Sequence, residues 1–219
     1  MKRESYLILG YLAVLSLLMA SCSATESQDE VVSSAAEDDA KTTIIVSSTA
    51  FREGEKIPVN YTCDGQDVSP ELTWSESPEQ TEVFALIVDD PDAPGGVFTH
   101  WVLFNIPKDT HRFGEGIPIQ EQLENGAFQG RNGFGGIGYG GPCPPQGSVH
   151  RYQFTLYALD QRLNLKAGAS KKQVIDAMQG HILAQGQLTG TYQRLPVKQS
   201  SSLVFLLQMS NFLVYPVKL

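Results

Sequence analysis

No run of lysine or arginine breaks this chain: 16 basic residues stand against 24 acidic ones in 219 positions, a formal charge of −8. Nucleic-acid binding needs clustered cations to neutralise phosphates, so that role has no support. The three cysteines, Cys22, Cys63 and Cys143, form no Cys-x-x-Cys pair, which leaves a zinc knuckle or a thioredoxin-type site unsupported. Gly-x-Ser-x-Gly is missing, and with it the nucleophile elbow of a serine hydrolase. Histidine is scarce, four in all and widely spaced, so neither a metal site nor a cofactor is expected. No internal repeat occurs.

What the chain does have begins at its N-terminus. Lys2 and Arg3 precede the apolar run YLILGYLAVLSLLMA, and small residues follow up to Cys22. That order is a secretory signal over 1–22, too short in its apolar part for a spanning helix. The ending LMASC resembles a bacterial lipobox, with Met19 where leucine is usual; it implies lipidation of Cys22 and a membrane anchor, plain secretion being the alternative. Residues 23–42 carry six acidic side chains, one lysine and no aromatic. Such a segment buries too little apolar surface to order itself and is expected to be a tether. In an exported protein the remaining pair, Cys63 and Cys143, is a candidate disulfide.

The body, 43–195, is mostly strand-like. Segments 42–48, 82–90, 100–107, 150–160 and 186–195 are rich in β-branched and aromatic residues, with Gly, Pro, Asn and Asp between them. RYQFTLYAL alternates, placing Tyr152, Phe154, Leu156 and Ala158 on one face of a strand. One helix is expected over 170–186, opened by a Ser170–Gln173 capping box and carrying the stripe Val174, Ile175, Met178 and Ile182. His181 lies on or near that stripe and reads as an ordinary core or surface histidine. The pattern is a β-dominated α+β domain. Residues 196–219 are apolar but too interrupted to span a bilayer, and their structure stays open.

Two stretches carry chemistry. VDDPDAPGGVFTHW stiffens Asp90 and Asp92 on a proline corner and then delivers His100 at a strand start, its nearest partner in sequence. GFGGIGYGGPCPPQGSVHRY holds a formal Gly-x-Gly-x-x-Gly, but the following Pro-Cys-Pro-Pro cannot open the helix a dinucleotide site needs. The loop instead suits close approach to a small ligand, with backbone amides free to bond it. His150 and Tyr152, two apart, share a strand face, from which Arg151 points away to brace a carboxylate.

These motifs, with YTCDGQDVSPELTW (61–74) and GASKKQVIDAMQGHILAQGQLTGTY (168–192), resemble the phosphatidylethanolamine-binding protein family, above all its bacterial Raf-kinase-inhibitor-like branch. The resemblance spans about residues 43 to 195. It implies a central antiparallel sheet, a second smaller sheet and peripheral helices. It also implies a pocket for phosphate or a phosphorylated headgroup such as phosphoethanolamine, built from Asp90, Asp92, Pro94, His100, His150 and Tyr152 and closed on one side by the Gly140–Gly141 backbone. The C-terminal helix and tyrosine of eukaryotic members find no match here. Carboxylates beside an anion make sense if one of them orients a histidine and favours its imidazolium. The rival readings are a protein-partner inhibitor or scaffold with no partner indicated, and an Asp/His hydrolase.

Overall fold

The computed structural model describes residues 42–196. The expectations for 1–41 and 197–219, lipidation at Cys22 among them, lie outside the described residues. Nine strands and one α-helix follow in order: β1 (Thr42–Thr43), β2 (Val46–Ser47), β3 (Leu72–Trp74), β4 (Val83–Asp90), β5 (Phe98–Pro107), β6 (Arg112–Phe113), β7 (Phe128–Gln129), β8 (Val149–Leu159), α1 (Lys171–Met178) and β9 (Ile182–Gln193). A six-stranded sheet runs β1-β9-β8-β4-β5-β7, and a three-stranded sheet runs β2-β3-β6. All pairs are antiparallel except β1 with β9. This is the β-dominated, two-sheet architecture expected from the sequence.

The near-continuous apolar run of β4 reflects burial on both faces. Phe84, Leu86 and Val88 enter one core, shared with Trp101, Phe154, Leu156 and the small sheet's Leu72, Trp74 and Phe113. Val83, Ala85 and Ile87 enter a second core, which α1 covers with Val174 and Met178. Each large side chain fully buried here is worth roughly 1.5–3 kcal/mol. Strand β8 keeps the expected alternation: Tyr152, Phe154, Leu156 and Ala158 are fully buried, and Gln153, Thr155 and Tyr157 lie half-buried on the other face.

Two boundaries differ from expectation. The helix ends at Met178, not near Gly186, because Gly180 takes a left-handed φ of 81° that turns the chain out of the helix. Ile182 fits a helical stripe by spacing, yet it opens β9, whose period-two burial runs to Gln193. Segment 42–48 is not one strand: Thr42–Thr43 joins the large sheet and Val46–Ser47 the small one, so the chain crosses between sheets at Ile44, buried, and Ile45, exposed. The capping box forms as expected, with the Ser170 hydroxyl accepting from the Gln173 amide.

Candidate functional site

Strands β4, β5 and β8 bring their chemistry-bearing residues to one end of the large sheet. Asp90 closes β4, His100 lies near the start of β5, and His150 and Tyr152 open β8. His100 sits in a register irregularity: Val88 pairs with Trp101 and Asp89 with Thr99, so no β4 residue stands opposite it. A β-bulge of this kind re-aims a side chain, which here leaves the sheet ladder for the glycine loop.

The His100 imidazole Nδ1 lies 2.6 Å from the Gly140 carbonyl, and the Gly140 amide returns a bond to the His100 carbonyl at 3.0 Å. A carbonyl only accepts, so Nδ1 carries the proton. His150 Nδ1 lies 2.7 Å from Asp90 Oδ2, both side chains being about 5% exposed, and again the oxygen accepts. The other Asp90 oxygen accepts from the Asp92 amide at 2.8 Å. Nε2 of both rings makes no hydrogen bond among the described residues.

A cleft of about 270 Å³ opens over these groups, with Asp90, His100 and His150 as its titratable walls. Pro94, Phe98, Phe134, Cys143, Pro144 and Pro145 supply the rest of its lining along with Ala93. The rings of Phe98 and Phe134 stand edge-on to His100 at 5.2 and 5.5 Å. Larger clefts of about 480 and 360 Å³ lie elsewhere, but neither brings a histidine to its wall, so chemistry and not size singles out this one.

The expected site residues therefore divide. Asp90, Pro94, His100 and His150 line the cleft. Tyr152 is fully buried beside it, its ring 5.1 Å from that of His100, and among the described residues its hydroxyl makes no hydrogen bond. Burial, then the Asp90 carboxylate, push that phenol well above its ordinary range. Asp92 turns away: it accepts from the Arg151 amide, Nε and Nη2 at 2.9, 2.9 and 2.7 Å, which holds its carboxyl down at about 2. Arg151 thus braces a carboxylate as expected. The sequence-nearest partner for Asp90 was His100, but its imidazole is that of His150, 60 residues on, because β4 and β8 are neighbours in the sheet.

The glycine loop also behaves differently from expectation. The two amides expected to close the pocket are committed elsewhere: Gly140 donates to the His100 carbonyl and Gly141 to Asp67 Oδ1 at 2.6 Å. A Cβ on Gly141 would stand 2.5 Å from the Tyr61 carbonyl, so only glycine allows the 61–67 segment to pass this close. Cys63 and Cys143 form a disulfide there, with Cα atoms 5.5 Å apart, and the Cys63 amide bonds the Pro142 carbonyl. The expected rise of a histidine toward its imidazolium fails at His100. Burial outweighs the Gly140 carbonyl and the Asp90 and Asp89 charges and lowers its pKa from the ordinary 6.5. Phe98, Phe134 and Asp67 escaped sequence reasoning. The signal for the last was present in YTCDGQDVSP, which shares a disulfide half with the loop it supports. Among the described residues no three of His, Cys, Asp and Glu gather as a metal cluster.

A profile described as phosphatidylethanolamine-binding protein matches residues 47–193, more than half of the chain. The chain belongs to this family. A UPF0098 protein of Methanothermobacter thermautotrophicus is 52% identical over 145 residues, covering 66% of this chain and 95% of the relative. One from Aquifex aeolicus is 50% identical over 151 residues, 68% and 88% of the two chains. Among solved structures, E. coli YbcL, described as a new member of the mammalian family, aligns with TM-score 0.65 and 34% identity, over 69% of this chain and 99% of its own. A phosphatidylethanolamine-binding protein homologue of Chlamydia trachomatis aligns with TM-score 0.63 and 39% identity, over 69% and 98%.

Proposed function

We propose that this family member is an extracytoplasmic binding protein for a small anionic ligand, phosphate or a phosphorylated headgroup, taken up in the Asp90–His100–His150 cleft. One observation carries the reading. Two buried imidazoles from different strands have Nδ1 fixed by an oxygen acceptor, so that each keeps Nε2 for a ligand, with the unpartnered Tyr152 hydroxyl beside them. Fixed rings need no reorganisation on binding, and a phenol supplies a neutral donor. The family's name points to a headgroup of the same chemistry. Export is supported by the signal-like order of residues 1–22 and by the Cys63–Cys143 disulfide, a bond that persists in oxidising compartments.

Calorimetric titration with inorganic phosphate and O-phosphoethanolamine tests the proposal on wild type, His100→Ala and His150→Ala. Saturable binding in the wild type, weakened at least tenfold (about 1.4 kcal/mol) in both variants, is expected. No wild-type binding, or binding that both variants keep, would sink it. In the first case the second reading gains, a protein segment docked over the mouth, for which the exposed Val97, Phe134 and Val149 offer apolar contacts.

A further inference from the structure

The Cys63–Cys143 bond stands at the wall of the cleft and within reach of solvent. Both half-cystines are exposed residues, and Cys143 lines the cleft together with Pro144 and Pro145. Exposed disulfides are the labile ones, whereas bonds that only staple a secreted fold resist reduction.

Hydrogen bonds hold this loop up to Pro142 and again from Gly147. On one side Gly140 pairs with His100, Gly141 donates to Asp67, and the Pro142 carbonyl accepts from the Cys63 amide at 3.2 Å. On the other, the Gly147 amide donates to the Arg194 carbonyl at 2.9 Å and Gln193 Nε2 to the Gly147 carbonyl at 2.9 Å. Between them, residues 143–146 take part in a single hydrogen bond among the described residues, from the Ser148 amide to the Pro145 carbonyl inside the same loop. The disulfide therefore ties this stretch of wall to the 61–67 segment. Pro144 and Pro145 fix φ, so the wall is stiff and moves as one piece. The Cys143 amide makes no hydrogen bond among the described residues, which leaves it to a bound anion. Burial and then Asp90 raise the Tyr152 pKa while the Cys143 backbone pulls it down, so this backbone stands close to the phenol.

We propose that the Cys63–Cys143 disulfide is a redox switch on ligand binding: oxidised, it holds residues 143–146 against the cleft and the anion is bound; reduced, the wall comes away and the anion is released. The inference rests on the anion-binding reading above and adds control of that site. The reductant is a dithiol, small molecule or protein. One of its thiolates attacks a sulfur of the bond, forming a mixed disulfide and releasing the other cysteine as a thiolate. Its second thiolate attacks the reductant's own sulfur in that intermediate. Two electrons and two protons thus pass to Cys63 and Cys143, and the reductant leaves as a disulfide. The Asp67–Gly141 and Cys63–Pro142 hydrogen bonds involve no sulfur, so the rest of the loop and the sheet stay in place.

The test is calorimetric titration of the full chain in three states: oxidised, reduced by dithiothreitol that is then removed under argon, and re-oxidised. Free thiols are counted and far-ultraviolet circular dichroism is recorded in each. Inorganic phosphate and O-phosphoethanolamine are both titrated, and their comparison tells free phosphate from a headgroup. On reduction the thiol count should rise by two, the sheet signal should persist, and affinity should fall at least about tenfold, to return on re-oxidation. Cys63→Ser should bind as weakly as the reduced chain and ignore dithiothreitol. By linkage, saturating phosphate should make the bond harder to reduce by the same factor, about 30 mV for tenfold. Reduced-state binding within about threefold of the oxidised state overturns the inference and leaves anion binding intact. A bond that dithiothreitol cannot open in the folded chain, or a sheet that unfolds when the bond opens, does the same. Absence of binding by the oxidised chain overturns both.

Discussion

Cutting Asp90 back to alanine removes one carboxylate that serves two donors, the Asp92 amide at 2.8 Å and His150 Nδ1 at 2.7 Å. The His150 and Asp90 side chains are 6% and 5% exposed, so the ring N–H loses its partner where little water reaches. An unsatisfied buried donor costs about 1–3 kcal/mol, and more where the partner removed was a charged group. Asp90→Ala should also relieve the desolvation of the carboxylate itself, and the cleft admits some water to the gap. The net expectation is about 2–4 kcal/mol, or roughly 5–15 °C in Tm for a domain of this size. Asp92→Ala is the control. It breaks three hydrogen bonds against two, but its partner Arg151 is 57% exposed, and solvent-screened pairs are worth about 1 kcal/mol or less. Urea unfolding at pH 7 with a constant m-value measures both. If Asp90→Ala costs no more than Asp92→Ala, the buried carboxylate–imidazole contact is not what organises this end of the sheet.

Three further outcomes follow from the same geometry. Because His100's folded pKa lies below 6.5, the unfolded chain takes up a proton first as pH falls; stability should decline below about pH 6.5 and level off beneath the folded value, and His100→Leu should flatten that segment of a urea-midpoint profile. Asp92 runs the opposite way in mechanism: held at about 2 against an ordinary 3.8, it stabilises above about pH 4, and the wild-type advantage over Asp92→Asn should vanish as acid unfolding is followed down to about pH 2. The Cys63–Cys143 bond closes a separation of 80 residues, so reduction should cost up to about 4.5 kcal/mol by chain entropy; an unchanged Tm after verified reduction would argue against it. For the export proposal, palmitate labelling of cells should mark the wild-type chain and not Cys22→Ser, and an unlabelled wild type contradicts a lipid anchor.

Much of this was legible in the sequence because it is local. Alternation in RYQFTLYAL, the capping box at Ser170 and the proline corner at Asp90 each depend on a few neighbouring residues, and each appears as expected. What was not legible depends on strand order. Nothing near Asp90 in sequence says that β8, not only β5, will lie against β4, so the choice of His150 over His100 needed the sheet. The bulge that frees His100 is likewise a register property with no composition of its own. The overlong helix shows two periodicities competing: Ile182 satisfies both 3.6 and 2.0, and Gly180 decides between them. That the Gly141 amide is committed is not legible locally, because Asp67, the residue that consumes its N–H, comes from 74 residues away.

The most direct test of the cleft as a binding site is to follow the imidazole signals of all four histidines by NMR as inorganic phosphate is added. His111 and His181 lie off the cleft and serve as internal references. The account expects the Nε2 resonances of His100 and His150 to move saturably with one common dissociation constant while the other two stay fixed. Four histidines moving together, or His100 and His150 standing still, would contradict it.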